Sequence, residues 1–207
     1  MMTKKPSYNL EKKLSRQGFD LVFGMDEVGR GSFAGPLVAS AVAFEQEFSW
    51  FNDINDSKLL SETERERLSK LILKNGICFT KIIDVGLINE IGIGKCNVLI
   101  FEKLINSVLH KYADKINKYF LIDGRDTFKS INTQHIVKGD RESISIAAAS
   151  IIAKVYRDNL MRKFDSKYQG YDFSKNKGYG TKFHRDAIKK LGLCGIHRKS
   201  FNLSKFL

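Results

Sequence analysis

Gly24-Met25-Asp26-Glu27-Val28-Gly29-Arg30-Gly31-Ser32-Phe33-Ala34-Gly35-Pro36 is the stretch on which the reading of this chain turns. Leu21-Val22-Phe23 lead into it as an apolar run and residues 37–44 leave it as another, so two strands meet at a glycine-rich turn. Asp26 and Glu27 fall near the end of the first strand. Neighbouring strand residues point to opposite faces, so an Asp-Glu pair in an apolar run buries at least one charge, at a cost of several kcal/mol. A divalent cation is the simplest compensation, and a solvated strand end is the alternative that a lone dipeptide leaves open. The glycines flanking Arg30 let the backbone approach a ligand where a Cβ would collide. Nucleotide loops fit poorly. Gly29, Gly31 and Gly35 are spaced one residue too far for the dinucleotide fingerprint, and Arg30-Gly31 stand where a P-loop needs Lys and Ser/Thr.

Outward from this turn, residues 1–17 read as a loose basic arm or short helix, and residues 45–55 as aromatic-containing but irregular. Ser61 and Glu64 form a capping box that opens a helix through about residue 74, stopped at Asn75-Gly76. Residues 77–85 make a third strand, completing three consecutive strands whose simplest arrangement is an antiparallel meander. Residues 87–91 form a helical turn and Gly92-Ile93-Gly94-Lys95 a glycine break. Leu99, Ile100, Leu104, Val108 and Leu109 have the period of an amphipathic helix over residues 96–112. Residues 119–123 and 134–138 are short strands, each followed closely by an acid or ending in one: Asp123 and Asp140. A helix over residues 143–163 carries the small-residue face Ala147-Ala148-Ala149-Ser150, suited to close approach to a sheet, with Arg157-Asp158 at its exposed end. A last helix spans residues 182–191. The result is an α/β chain with a mixed five-stranded sheet flanked by helices and a C-terminal helical extension.

Composition bounds the partners. The 207 residues, 43% hydrophobic and 28% charged, suit one domain with a proper core. A net charge of +12 points to a polyanion, and residues 159–207 hold 12 Lys/Arg against 3 Asp/Glu. Cys78, Cys96 and Cys194 are odd in number and widely spaced, which supports neither a disulfide framework nor a zinc cluster and suggests a reducing compartment. No apolar run approaches a membrane span and no signal peptide is visible, so the expected location is cytoplasmic.

The motifs Asp26-Glu27-Val28-Gly29-Arg30-Gly31, Asp56-Ser57-Lys58, Ile122-Asp123-Gly124, Lys138-Gly139-Asp140, Ser145 to Ser150 with Lys154 and Arg157-Asp158, Lys177-Gly178-Tyr179-Gly180-Thr181 and His197-Arg198 together resemble ribonuclease HII, the type 2 ribonuclease H family. The resemblance covers residues 24–201. It implies an RNase H-like fold, with a catalytic core over residues 18–163 and a basic extension over 164–207 of a single domain 1–207. It also implies a Mg²⁺- or Mn²⁺-dependent endonuclease that cuts the RNA strand of RNA–DNA hybrids and cleaves 5′ to ribonucleotides embedded in duplex DNA, leaving 3′-hydroxyl and 5′-phosphate ends, as in ribonucleotide excision repair. Carried across by motif, the metal-binding and catalytic carboxylates are Asp26, Glu27, Asp123 and Asp140, with Asp158 a weaker candidate. Gly29, Arg30 and Gly31 are expected to read the 2′-hydroxyl, and Tyr179 to pack on the sugar that follows, with Lys58 and Lys182 as further substrate contacts.

Elementary chemistry agrees with that implication. Phosphodiester hydrolysis needs an activated water and a stabilised leaving oxygen, which two cations supply, and clustered carboxylates titrate as a coupled group. A 2′-hydroxyl both donates and accepts, and backbone N–H and C=O groups at Gly29–Gly31 satisfy both functions. Val28 replaces the family's commonest alanine and Ser32 its usual proline, the latter expected to loosen the turn. The HIII subfamily also has Val there but lacks the Arg; Arg30 and the short N-terminus favour HII. With metals generating the nucleophile, His184 and His197 are expected to be structural or phosphate contacts. Residues 200–207 show no clamp-binding motif, so the expected partners are nucleic acids alone, bound by a monomer without a membrane. A non-catalytic nucleic-acid-binding protein, or another nuclease of the same fold such as a resolvase, is the competing reading.

Overall fold

The structure, a computed structural model, describes residues 5–112, 116–125 and 128–203; residues 1–4 of the N-terminal arm and 204–207 of the tail lie outside them. Five strands form one sheet: β1 (Leu21–Val28), β2 (Leu37–Ala43), β3 (Ile77–Ile83), β4 (Lys118–Asp123) and β5 (Thr133–Ile136), in the order β3-β2-β1-β4-β5. β1, β2 and β3 pair antiparallel, the expected meander. β4 and β5 extend the sheet in parallel, which obliges the chain to cross over between β3 and β4. That crossover is made by α3 (Val85–Ile91) and α4 (Ile93–Tyr112).

Strand alternation divides the core into two layers. Phe23 and Met25 of β1 face α4, packing with Ile100, Leu104 and Val108. On the other face lies α5 (Ile144–Lys167), where Ala147, Ala148 and Ala149 join Leu68 and Ile72 of α2 (Glu62–Asn75). β2 is buried on both faces and therefore reads as an apolar run broken only by Ser40, which meets the Thr80 hydroxyl at 2.9 Å. Gly24 sets the depth of the α5 layer. A Cβ there would sit 2.1 Å from the backbone of Ser145 and Ile146, so only glycine lets the helix lie this close to the central strand.

Several local expectations are corrected. Gly92 does end α3, with φ of 82°, but α4 begins at Ile93, so Gly94 and Lys95 are helical rather than a break. β5 stops at Ile136 because Lys138 adopts a left-handed conformation, φ 59°, that turns the chain into a single 3-10 turn, Gly139–Arg141. Arg157 and Asp158 are not at an exposed helix end: both are buried, the arginine completely. α5 runs on to Lys167 and places them mid-helix. The arm is helical from Asn9 to Arg16 (α1), and its buried Glu11 accepts from the Ser143 hydroxyl and Ser145 N–H at the start of α5. Residues 45–55 contain a 3-10 turn, Ser49–Asp53, whose Trp50 and Phe51 pack with Phe44 and Phe48. Beyond α5, α6 (Phe173–Asn176) and α7 (Lys182–Leu191) close over Ala34 and Met161. Ser61 caps α2 by accepting from the Glu64 N–H, as the capping box predicts. Among the described residues no helix is long and apolar enough to cross a membrane.

Candidate active site

Parallel pairing of β1 with β4 brings the acids of the two strands together. Gly24 pairs with Leu121 and Met25 with Ile122, so the next residues along, Asp26 and Asp123, stand side by side at the same sheet end. Asp26 faces the α5 layer, where the Ser150 hydroxyl donates to it and Ser150 in turn meets Ser57 at 2.9 Å. Its Oδ1 also accepts from the Glu27 N–H at 2.7 Å. Glu27, one residue on, faces the opposite side and lines a cleft of about 400 Å³ with Asp123, Asn97, Arg30 and Arg125. The left-handed turn at Lys138 sends the Gly139 N–H to Asp123 Oδ1 at 2.6 Å and sets buried Asp140 next to that acid.

Burial weakens all four acids, and neighbouring carboxylates add to the rise in Asp26, Glu27 and Asp140. Asp26 is held well above the usual carboxylate range, first by burial and then by the charges of Glu27 and Asp123. Burial pushes Glu27 up to about 7, with Arg30 opposing and Asp123 adding to the rise. Asp123 and Asp140 are raised by burial, and in Asp140 further by Asp56 and Asp123. The charge of the exposed Lys58 draws Glu27, Asp123 and Asp140 back down. Asp56 shapes that loop: it accepts from the Lys58 N–H at 3.0 Å and from Arg141 at 3.3 Å.

Among the described residues no three His, Cys, Asp or Glu are drawn together closely enough to hold a metal ion as they stand. The acids are neighbours, and Asp26 and Asp123 are each turned to a backbone N–H donor. Their chemistry nonetheless fits a hard divalent cation: the donor set is all carboxylate oxygen, and each member carries a charge that burial opposes. Asp158, the weaker candidate, is occupied by an ion pair with Lys154 at 2.8 Å.

The glycine-rich turn is shaped by two buried arginines, Arg157 and Arg198, that the sequence reading placed in its motifs without giving them a role. Arg157 donates to the carbonyls of Ala34, Pro36 and Lys177, and Arg198 to those of Arg30 and Gly35. Gly29, φ 92°, is required by this arrangement, because a Cβ there would lie 2.2 Å from Arg157 Nε. Gly31 is different: it is exposed, with open space where a Cβ would be. Arg30 projects into solvent, 4.0 Å from Glu27. The N–H groups of Phe33 and Ala34 bond the Gly178 carbonyl, which seats Tyr179 beside the turn; the residue is 37% exposed, with the Arg157 guanidinium over its ring at 5.6 Å. Ser32 is fully buried, so the turn at that point is packed rather than open. Lys182 is exposed at the first position of α7. The signal for Arg157 was in the spacing: Ser150, Ala153, Arg157 and Met161 recur at helical intervals along the face that meets the sheet and turn.

Comparison with known proteins follows the same lines. Residues 23–204 match the family model described as ribonuclease HII. The chain is 44% identical over 193 residues to the ribonuclease HII of Caldanaerobacter subterraneus subsp. tengcongensis, spanning 92% of this chain and 78% of that protein. It is 45% identical over 188 residues to the ribonuclease HII of Clostridium perfringens strain 13, spanning 88% and 67%. Among solved structures, the PCNA:RNase HII complex from Archaeoglobus fulgidus aligns with a TM-score of 0.75 at 22% identity, over 88% of this chain and 95% of that one. Bst-RNase HIII in complex with Mn²⁺ aligns at 0.71 and 18% identity, over 93% and 70%. At those identities the structures establish the fold.

Proposed function

The chain belongs to the ribonuclease HII family, metal-dependent hydrolases that cleave the RNA strand of RNA–DNA hybrids, and from that premise we propose that it also cuts 5′ to single ribonucleotides in duplex DNA by two-metal hydrolysis. The observation that carries this reading is the pairing of β1 with β4, which makes Asp26 and Asp123 neighbours under a glycine-rich turn. Asp26, Glu27, Asp123 and Asp140 are the residues that would hold Mg²⁺ or Mn²⁺. When bound, the cations supply an activated water and stabilise the leaving 3′ oxygen.

The chain's own residues do the rest. Exposed backbone at Gly31, held in place by Arg198 through the Arg30 carbonyl, offers donors and acceptors to a 2′-hydroxyl. Arg30 and Lys58 meet phosphates beside the acids, and Lys182 does so along α7. The partly exposed Tyr179 packs on the following sugar. In this reading residues 18–163 are the catalytic core and 164–207 a basic extension of one domain, working as a cytoplasmic monomer in ribonucleotide excision repair.

The test is incubation with Mg²⁺ or Mn²⁺ and a duplex carrying one ribonucleotide, beside an all-DNA duplex. The expected products are a 3′-hydroxyl and a 5′-phosphate at the 5′ side of the ribonucleotide, with the all-DNA control intact. A 2′,3′-cyclic phosphate would show attack by the sugar's own hydroxyl and overturn the mechanism.

A further inference from the structure

His184 and His197 are buried, 0% and 1% exposed, in a wall made by Tyr171 and Phe173. Their contacts allow one proton arrangement. His197 Nδ1 faces the Cys194 N–H at 2.8 Å and must accept from it. Its proton is therefore on Nε2, which lies 3.1 Å from His184 Nε2. That nitrogen must accept in turn, so His184 carries its proton on Nδ1, 2.9 Å from the Tyr179 carbonyl oxygen. The opposite arrangement would use the longer 3.3 Å contact of His197 Nδ1 with the Cys194 carbonyl. It would set a bare His184 Nδ1 against the Tyr179 oxygen, lone pair to lone pair. The relay thus runs one way, from the Cys194 N–H through two neutral imidazoles to the Tyr179 carbonyl. Burial holds His197 down to about 4 and His184 below its ordinary value, consistent with two neutral rings.

The carbonyl that ends the relay belongs to Tyr179, the partly exposed residue beside the glycine-rich turn. The same oxygen accepts from the Thr181 N–H, and the Tyr179 N–H is taken by the Asn176 carbonyl. Residues 194–198 connect back to the turn, since Ala34 pairs with His197 and Arg198 binds the Gly35 and Arg30 carbonyls. We infer that His184 and His197 are positioning residues, a directional hydrogen-bond relay that fixes Tyr179 against the glycine-rich turn for binding the sugar of the ribonucleotide-containing strand. This rests on the reading of Tyr179 as a substrate contact.

Long-range proton–nitrogen correlation spectra of the whole protein at pH 7 test the relay itself. They are expected to show His184 protonated at Nδ1 and His197 at Nε2; any other pair of tautomers overturns it. Kinetics on the ribonucleotide-containing duplex test the role. His184→Phe is expected to raise KM about tenfold with kcat within about twofold, a loss on the scale of one aromatic stacking contact. His184→Asn, which keeps a donor near the Nδ1 position, is expected to restore most of that loss, and it carries the test if the Phe variant does not fold. In a Tyr179→Ala background His184→Phe is expected to add nothing. A merely structural histidine would lower kcat and add its full effect in that background, which would overturn the role. If Tyr179→Ala alone leaves KM unchanged, the substrate contact fails while the tautomers still stand, so the two ideas fail separately.

Discussion

Asp26, proposed above as a metal-holding carboxylate, is buried and raised by burial and by two neighbouring acids. Asp26→Asn keeps its shape and removes its charge. Turnover is expected to fall by about two to three orders of magnitude, the scale of losing one preorganised charge, while salt-sensitive binding of the hybrid persists. Loss of binding in a gel-shift titration would contradict that assignment. The raised acids also set a pH dependence. A carboxyl that ionises at higher pH in the fold than in the unfolded chain removes stability as pH rises between the two values, here from about 4.5 to about 7 for Glu27. A cation needs the ionised form and opposes this loss. The Tm gain from Mg²⁺ over chelator should therefore grow from pH 5 to pH 8; a gain that is flat or shrinks would show that the acids do not hold the ion. Arg157 is the structural counterpart, one buried guanidinium serving three carbonyls. Arg157→Met leaves those oxygens unsatisfied and is expected to cost about 3 kcal/mol, read from urea midpoints.

At the scale of elements, the contact between α5 and β1 is the one that sets the site. Ser150 reaches Asp26 because Gly24 and the alanine face allow helix and strand to approach. Gly24→Ala would drive a methyl into the backbone of Ser145 and Ile146, and the expected cost is about 3 kcal/mol or more. Gly31→Ala meets open space, so stability should stay within about 0.5 kcal/mol. Its effect should appear instead as a higher KM for the ribonucleotide-containing duplex, because the new methyl would cover the backbone proposed to contact the 2′-hydroxyl. Equal stability losses in the two variants would refute this division of labour between glycines.

For the whole molecule, the asymmetry of charge matters more than its sum. The net +12 is weighted toward the C-terminal segment, while the acids gather at one end of the sheet. Binding of a hybrid should weaken linearly on a log–log plot against salt. Lys58→Ala and Lys182→Ala should each reduce that slope by about one, and Lys13→Ala on α1 should leave it unchanged. If all three behave alike, the positive surface is acting as a diffuse field rather than as placed contacts.

Strand and helix periods, the Ser61 cap and the motif order were legible in the residues, because local sterics and hydrophobic alternation act over a few positions. The family resemblance and the antiparallel meander were legible for the same reason. Which acids become neighbours was settled only by the parallel registers of β4, since a register joins residues nearly a hundred positions apart. Burial of Arg157, read from the sequence as exposed because charged residues usually are, follows from carbonyls supplied by a distant turn. The His184–His197 relay and the divided roles of Gly29 and Gly31 belong to the same class. Each depends on a partner atom brought near by folding, and no periodicity in a single chain encodes where that partner will be.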